Sequence, residues 1–480
     1  MARRDADQSR PTTIHAPAVL SRRGFLALSG AAGAGVLLAP NGARATPAPA
    51  EKPIRTAKNL IFMVSDGMSN GTLQLADLFI RRRDGRASHW LKLIENPLSR
   101  RAIVNTSAAN SVVTDSAAAA TAWGVGELVN NGSVGLATDG RKPETILMKA
   151  RRSGRAIGLV TTARLTHATP AGFLINSPFD RDKEDFIAEQ MVTERLPEVA
   201  FGGGAKFLTP EVTARGAGLT TVRTRAEWDK LIAQPRSGPV MGVFNDSHLS
   251  MELDRVQQSE AGREPSIEEL TRAALAMLKD HPGGFAIQIE GGRIDHAAHY
   301  NDAGSLVHEQ MMFDRTIGAV MEFASKRDDT LVIVTTDHGN ANPGLTDYEA
   351  AGDKGLEALG KVSRSFEWIH GEVAKLGQSP ERDAVASVIE RGTGVTLDGY
   401  DLGVLTRRLA GDPVDPFKIA NPTTAVLGSI LANHFKVAFL SVNHTSDYVE
   451  LTAIGPGSEL VPPTMKINEV HGVMVKALGM

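Results

Sequence analysis

Four short runs of apolar, largely β-branched residues set the strongest limit on how this chain can fold. Lys58–Ser65 (KNLIFMVS), Ala156–Thr162 (AIGLVTT), Phe285–Ile289 (FAIQI) and Thr330–Thr336 (TLVIVTT) are apolar almost without alternation, the pattern of strands covered on both faces. Between them lie helix-like segments such as Glu144–Arg152, Lys183–Arg195, Ile267–Lys279 and Leu306–Ala324. Strands alternating with helices predict an α/β fold with a large, mostly parallel central sheet and helices on both faces. Three of the four runs deliver a carboxylate at their ends: Asp66 after the first, Glu290 after the third, and Asp337 with His338 after the fourth. Ligands of open α/β sheets bind outside the carboxyl ends of the strands, so this edge is where chemistry is expected. From Pro343 the pattern changes to helical segments (Asp353–Leu376, Arg382–Arg391, Thr423–His434) with glycine-rich breaks. It reads as a mainly helical insertion at about 343–436, after which Val437–Ser441 and Tyr448–Ile454 are expected to return to the sheet.

With 42% apolar and 22% charged residues, 480 residues can bury a sizeable core. No cysteine is present, which excludes a disulfide scaffold, a thiolate-bound zinc and a thiol nucleophile. The formal charge of −3 conceals an asymmetry: residues 1–45 carry six Arg against Asp5 and Asp7, while the remainder is acidic. An acidic body argues against a nucleic-acid-binding surface. Ser21-Arg22-Arg23-Gly24-Phe25-Leu26 opens an Ala/Gly/Leu-rich stretch that ends in Ala43-Arg44-Ala45. Residues 1–45 therefore read as a twin-arginine export signal, followed by a linker at 46–57 and a catalytic domain at 58–480. The apolar stretch is too short and glycine-rich for a comfortable span, and no later one is long enough, so a periplasmic or secreted protein without a membrane span is expected.

Three further segments carry chemistry. Val113-Thr114-Asp115-Ser116 runs into the Ala-rich stretch Ala117–Ala122, which places Ser116 near a helix N-terminus, where unpaired N–H groups and the dipole favour a phosphate. An ordinary N-cap gives the same pattern. In Glu290-Gly291-Gly292-Arg293-Ile294-Asp295-His296-Ala297-Ala298-His299, Asp295 and His299 stand one helical turn apart and can face one ion. Carboxylate with imidazole suits zinc when thiolates are absent, although the same pair makes a surface salt bridge. Asp337-His338 sits in a loop at a strand tip, where neighbouring residues can turn to one ion.

Six islands together resemble the alkaline phosphatase family. They are Ser65-Asp66-Gly67-Met68, Val113–Ala118, Thr161-Thr162 with His167-Ala168-Thr169-Pro170-Ala171-Gly172, Glu290–His299, Thr335–Gly339, and His444-Thr445, in the family's order. The resemblance implies Asp295, His299 and His444 as ligands of a first zinc (Zn2+), and Asp66, Asp337 and His338 as ligands of a second, with Ser116 as nucleophile. It implies a third site for magnesium (Mg2+) at Asp66, Thr169 and Glu290, where hard oxygen ligands fit that ion. A phosphate-gripping arginine is expected at Arg181, one residue further from the His-Ala-Thr-Pro island than usual, with Arg164 as the alternative. His167 and His296 stand where the best-known bacterial members carry Asp and Lys, and are expected to modulate the third metal and the phosphate. Phosphate monoesters are the implied substrates, through a phosphoserine intermediate. Many members are dimers, so a homodimer is an expectation by resemblance alone. A phosphodiesterase of the same superfamily and a phosphate-binding protein without turnover are the competing readings.

Overall fold

A computed structural model describes residues 55–234, 238–378 and 380–480; the segment read as an export signal and most of the linker lie outside them. Ten strands form one sheet: β1 (Asn59–Val64), β2 (Arg100–Asn105), β3 (Ala156–Arg164), β4 (Val199–Gly203), β5 (Thr220–Val222), β6 (Val240–Val243), β7 (Phe285–Glu290), β8 (Thr330–Thr335), β9 (Val449–Ile454) and β10 (Thr464–Lys466). Their order is β10-β2-β9-β8-β1-β7-β3-β4-β6-β5. Every pairing is parallel except those of β9, which runs antiparallel to both β8 and β2. The four runs read from sequence are the four adjacent central strands β8-β1-β7-β3, and β1, β7 and β8 are buried at every position. Helices cover both faces, and the apolar clusters on the two sides hold Trp123 and Phe173 on one, Trp90 and Phe313 on the other.

The register explains why the acids converge. Val64 of β1 aligns with Glu290 of β7 and with Thr335 of β8, and Thr161 of β3 aligns with the same Glu290. Asp66, Glu290 and Asp337 therefore leave neighbouring strands within two residues of one line. Gly67 turns the chain sharply at φ +66°, and a Cβ there would lie 2.4 Å from Asp295 Oδ1. Only glycine permits both the left-handed turn and the close approach.

Two expectations need correction. Val437–Ser441 does not return to the sheet: Val437–Ala438 pairs with Gly344–Leu345, so this two-residue ribbon closes the neck of the insertion. Both sides of β9 are already taken, by β8 and β2, so the segment finds no free ladder beside it. The segment Asp353–Leu376 is two helices, Ala350–Leu359 and Phe366–Lys375, because Ser365 caps the second through a bond from Trp368 N to Ser365 Oγ. The insertion also contains a helix at Gly399–Leu409, which the sequence reading passed over. Its apolar core, including Ile369, Val385 and Leu431, continues onto Val307 and Met311 of the long helix Ala303–Ala324.

Candidate metal and phosphate site

Ser116 opens the helix Ser116–Val125, but it is not the cap. Asp115 is, its Oδ1 accepting the Ala118 N–H at 2.8 Å. That division of labour resolves the ambiguity of the sequence, since it leaves Ser116 Oγ uncommitted to the backbone and 3.3 Å from His338 Nε2. The helix is buried along its whole length and crosses the helix Ala168–Leu174 closely: a Cβ on Gly124 would sit 2.0 Å from the Gly172 carbonyl oxygen. Small residues thus let the helix bearing Ser116 lie against the helix bearing Thr169.

Three overlapping groups of donor atoms form at the sheet edge, each within 4.8 Å: Asp295 with His338 and His444, Asp66 with Asp337 and His338, and Asp66 with His167 and Glu290. The second is the set expected for the second zinc. In the first, His338 joins, while His299 still lies close, its Nε2 3.3 Å from Asp295 Oδ2 and 3.1 Å from His444 Nε2. In the third, His167 stands with Asp66 and Glu290, and Thr169 Oγ1 is buried without a hydrogen-bond partner. The sequence reading expected His167 near this third site as a modulator rather than as a member of the donor group itself.

The donor chemistry fits cations. His444 Nδ1 lies 2.9 Å from the Thr114 carbonyl and His299 Nδ1 lies 2.6 Å from the Val442 carbonyl. A carbonyl only accepts, so each Nδ1 carries a proton and each Nε2 faces inward, toward the other ring and Asp295, where it can serve as a ligand once a cation displaces any proton it holds. Both Asp66 oxygens, Glu290 Oε1 and His338 Nδ1 are likewise buried with no hydrogen-bond partner. Among the described residues no Lys or Arg pairs with Asp66, Glu290, Asp295 or Asp337; the basic groups within 4 Å of Asp66, Asp295 and Asp337 are histidine rings. Burial, and then the charges of Asp337, Asp295 and Glu290, hold the Asp66 carboxyl well above its usual range. Glu290 is pushed up to about 7, chiefly by burial, although Thr161 Oγ1 donates to it at 2.5 Å. Burial would lower His299, but the Asp295 carboxylate overrides it and raises the ring to about 9. Buried acids and inward ring nitrogens of this kind carry a burial cost that protons offset in part and that bound cations would offset more fully.

Arg181 lies beside Asp115, the cap of the Ser116 helix. Its Nη1 donates to Asp115 Oδ2 at 3.2 Å and its Nη2 lies 3.1 Å from His167 Nε2. Arg164, the alternative, is committed elsewhere: it forks onto Glu184 with bonds of 2.6–3.0 Å and contacts His248 Nε2. His248 is the residue that sequence reasoning missed. Its ring centroid is 4.2 Å from that of His296 and 5.4 Å from that of His167, yet Asn245-Asp246-Ser247-His248 carries no spacing signal. Asn340 was also missed; its Nδ2 donates to Asp295 Oδ1 at 2.7 Å and fixes that carboxylate.

Fold and donor set together define a candidate multi-metal site at the carboxyl edge of an α/β sheet. Comparison with known proteins narrows the class. The family profile "Alkaline phosphatase" matches residues 57–358. The chain is 33% identical to an alkaline phosphatase of Schizosaccharomyces pombe over 458 residues, 88% of this chain and 81% of that protein. It is 31% identical to a streptomycin-6-phosphate phosphatase of Streptomyces griseus over 427 residues, covering 78% and 91% of the two chains. The crystal structure of the Thermus thermophilus alkaline phosphatase superposes with a TM-score of 0.80 at 31% identity, covering 88% of this chain and 92% of that one. The chain belongs to the alkaline phosphatase family.

Proposed function

We propose that the protein hydrolyses phosphate monoesters through a phosphoserine on Ser116, at a site for two zinc ions and one magnesium ion. The observation that carries this reading is Ser116 Oγ, free of the backbone and 3.3 Å from His338 Nε2, at the meeting point of the first two donor groups. In the assignment, Asp295, His299 and His444 hold one zinc, Asp66, Asp337 and His338 the other, and Asp66, Thr169 and Glu290 the magnesium. Paired divalent ions in such a site supply charge that stabilises the attacking and leaving oxygens of an in-line displacement. The protein's own contribution is placement. The N-terminus of the Ser116 helix offers N–H groups and the positive end of its dipole to the phosphate, and Asp115 holds that end through Ala118 N and Gly132 N. Arg181, steadied by Asp115, presents paired donors to two non-bridging oxygens. Ser116 Oγ attacks phosphorus and the ester P–O bond breaks, releasing the alcohol; water then attacks the phosphoserine, freeing inorganic phosphate and restoring the serine.

These contacts read a phosphate and leave the alcohol loosely specified, so a broad range of monoesters serving phosphate acquisition is the substrate class. The streptomycin-6-phosphate phosphatase among the relatives is compatible with a bulky alcohol. Residues 1–45 act as a twin-arginine export signal ahead of a linker at 46–57, and the mature enzyme works in the periplasm or outside the cell. Among the described residues no helix is long and apolar enough to cross a membrane.

The test combines metal analysis with turnover. The purified mature protein should hold about two zinc and one magnesium per chain, and should turn over monoesters in preference to diesters. Wild-type protein given an alcohol acceptor should transfer phosphate to it, because a covalent intermediate partitions between nucleophiles. Ser116→Ala should keep its metals and lose turnover by roughly 10³-fold or more. Net inversion at phosphorus would remove the phosphoserine from the mechanism.

A further inference from the structure

The helix Arg293–His299 has two working faces. Asp295 and His299 turn to the first donor group, whereas Arg293 and His296, three residues apart, share a neighbouring face. Arg293 Nη1 lies 3.0 Å from His296 Nδ1. A guanidinium can only donate, so the contact makes Nδ1 the acceptor and puts the ring proton on Nε2. Arg293 is itself buried, with a side chain 4% exposed, and among the described residues its one carboxylate partner is Glu367.

Glu367 belongs to the insertion. It is the second residue of the helix Phe366–Lys375, and the chain around it is held in register by the core. Ser365 Oγ donates to Asp254 Oδ2, and Phe366 N donates to Asp302 Oδ2 at 2.7 Å. Three consecutive insertion residues are therefore fixed against the core, and the third reaches the site. Glu367 remains 54% exposed, so the bonds of Ser365 and Phe366 to the core do more than its own packing to place it.

The same unit of imidazole, arginine and carboxylate occurs three times around the ring cluster. His167 meets Arg181 and Asp115, and His248 meets Arg164 and Glu184. His296 meets Arg293 and Glu367. In the first two units the carboxylate comes from the α/β core; only for His296 does it come from the insertion. We propose that Glu367 is a positioning residue: it holds Arg293, which fixes the tautomer and orientation of His296 beside the phosphate site, so the insertion supplies a working part of that site.

The experiment compares wild type, Glu367→Ala, Glu367→Gln, His296→Ala and the double variant Glu367→Ala/His296→Ala, each checked for metal content and thermal stability. The ring nitrogens of His296, identified by 15N NMR as the signals lost in His296→Ala, should show the Nε2–H tautomer in wild type and a mixture in Glu367→Ala. The specificity constant for a phosphate monoester should fall about tenfold in Glu367→Ala, as for a lost charge-assisted contact. Glu367→Gln, which keeps an acceptor oxygen, should recover most of it. In the His296→Ala background the same Glu367→Ala change should cost less than about twofold, because coupled residues are not additive. An equal loss in both backgrounds, or unaltered His296 signals in Glu367→Ala, would overturn the proposal. The turnover arm rests on the phosphatase reading; absence of monoester turnover in wild type would count against that reading, and the ring-nitrogen arm would decide the positioning role alone.

Discussion

The carboxyl edge of the sheet and the helical insertion are built by opposite rules. At the edge, four carboxylates are buried within one site, no lysine or arginine among the described residues neutralises them, and Asp66 is held well above its usual range by burial and by its acidic neighbours. In the insertion, charges face water, helices start on capping residues such as Ser365 and Asp398, and the interior is apolar: Ile369, Val385, Leu405 and Leu431. A chain tolerates the first arrangement only where a bound charge will complete it, because an unpaired buried ion costs several kcal/mol. The second needs no ligand. Function therefore shows itself as a local breach of ordinary stability rules.

The comparison breaks most visibly on removing the ions. Chelation should abolish turnover, by roughly 10³-fold or more, and lower the melting temperature, since any ligand bound only to the native state stabilises it. Asp66→Asn should reverse the sign between states: less stable than wild type when both are metal-loaded, more stable when both are stripped, because the uncharged amide costs less to bury. Calorimetry of the four samples checks this. An Asp66→Asn protein that melts below wild type in chelator as well would mean that the acids are not electrostatically strained.

Arg181→Ala comes next. It should weaken inorganic phosphate binding by about 2 kcal/mol, the scale of one charge-assisted contact, with metal content intact by elemental analysis. Arg164→Ala should instead lower thermal stability, since it strands the buried Glu184 carboxylate, 8% exposed, without its partner. Exchange of these two outcomes would move the phosphate grip to Arg164.

What the sequence disclosed follows the same division. The central strands were legible because burial on both faces leaves an uninterrupted apolar run, as in NLIFMV and TLVIVT. The outer strands were not: Thr220–Val222 and Thr464–Lys466 have three residues each, and Arg100–Asn105 is exposed at several positions. Residues that cluster in short islands, such as Asp295 with His299, could be singled out because one helical turn sets them side by side. His248 and Asn340 could not, because the fold alone brings them to the ring cluster and to Asp295. Glu367 lay hidden for a further reason: its partner Arg293 is 74 residues away in sequence, and an exposed glutamate on an amphipathic helix looks like any other.

A buried acid away from the site tests whether strain is confined to the edge. Glu309 lies on the long helix Ala303–Ala324, which packs against both regions, and burial pushes its carboxyl up to about 8 despite a bond from Glu252 N. The unfolded chain titrates it near 4.5. Between these values the native state keeps a proton that the unfolded state has lost, so stability falls as pH rises, by at most about 1.4 kcal/mol per pH unit. Glu309→Gln removes the penalty. Its melting temperature should match wild type near pH 4.5, exceed it increasingly up to about pH 8, and stay above it beyond. A constant offset across that range would show that Glu309 is not protonated in the native state.

The smallest effect is expected at the far side of the insertion, and it measures how local the Glu367 connection is. Asp398 precedes the helix Gly399–Leu409 with extended backbone, φ −75° and ψ 174°, and its Oδ1 accepts the Asp401 N–H at 2.8 Å. The bond satisfies one of the free donors at the helix start and sets a negative charge against the dipole's positive end. Asp398→Ala should cost about 1 kcal/mol, read as a small drop in melting temperature. The helix buries Leu402 and Leu405 within the insertion, and that apolar contact survives the loss of a cap. Turnover, Michaelis constant and metal content should be unchanged, because no bond links this end to Ser365, Phe366 or Glu367. A fall in turnover that tracks the loss of stability would mean that the whole insertion, and not one glutamate, holds His296 in place.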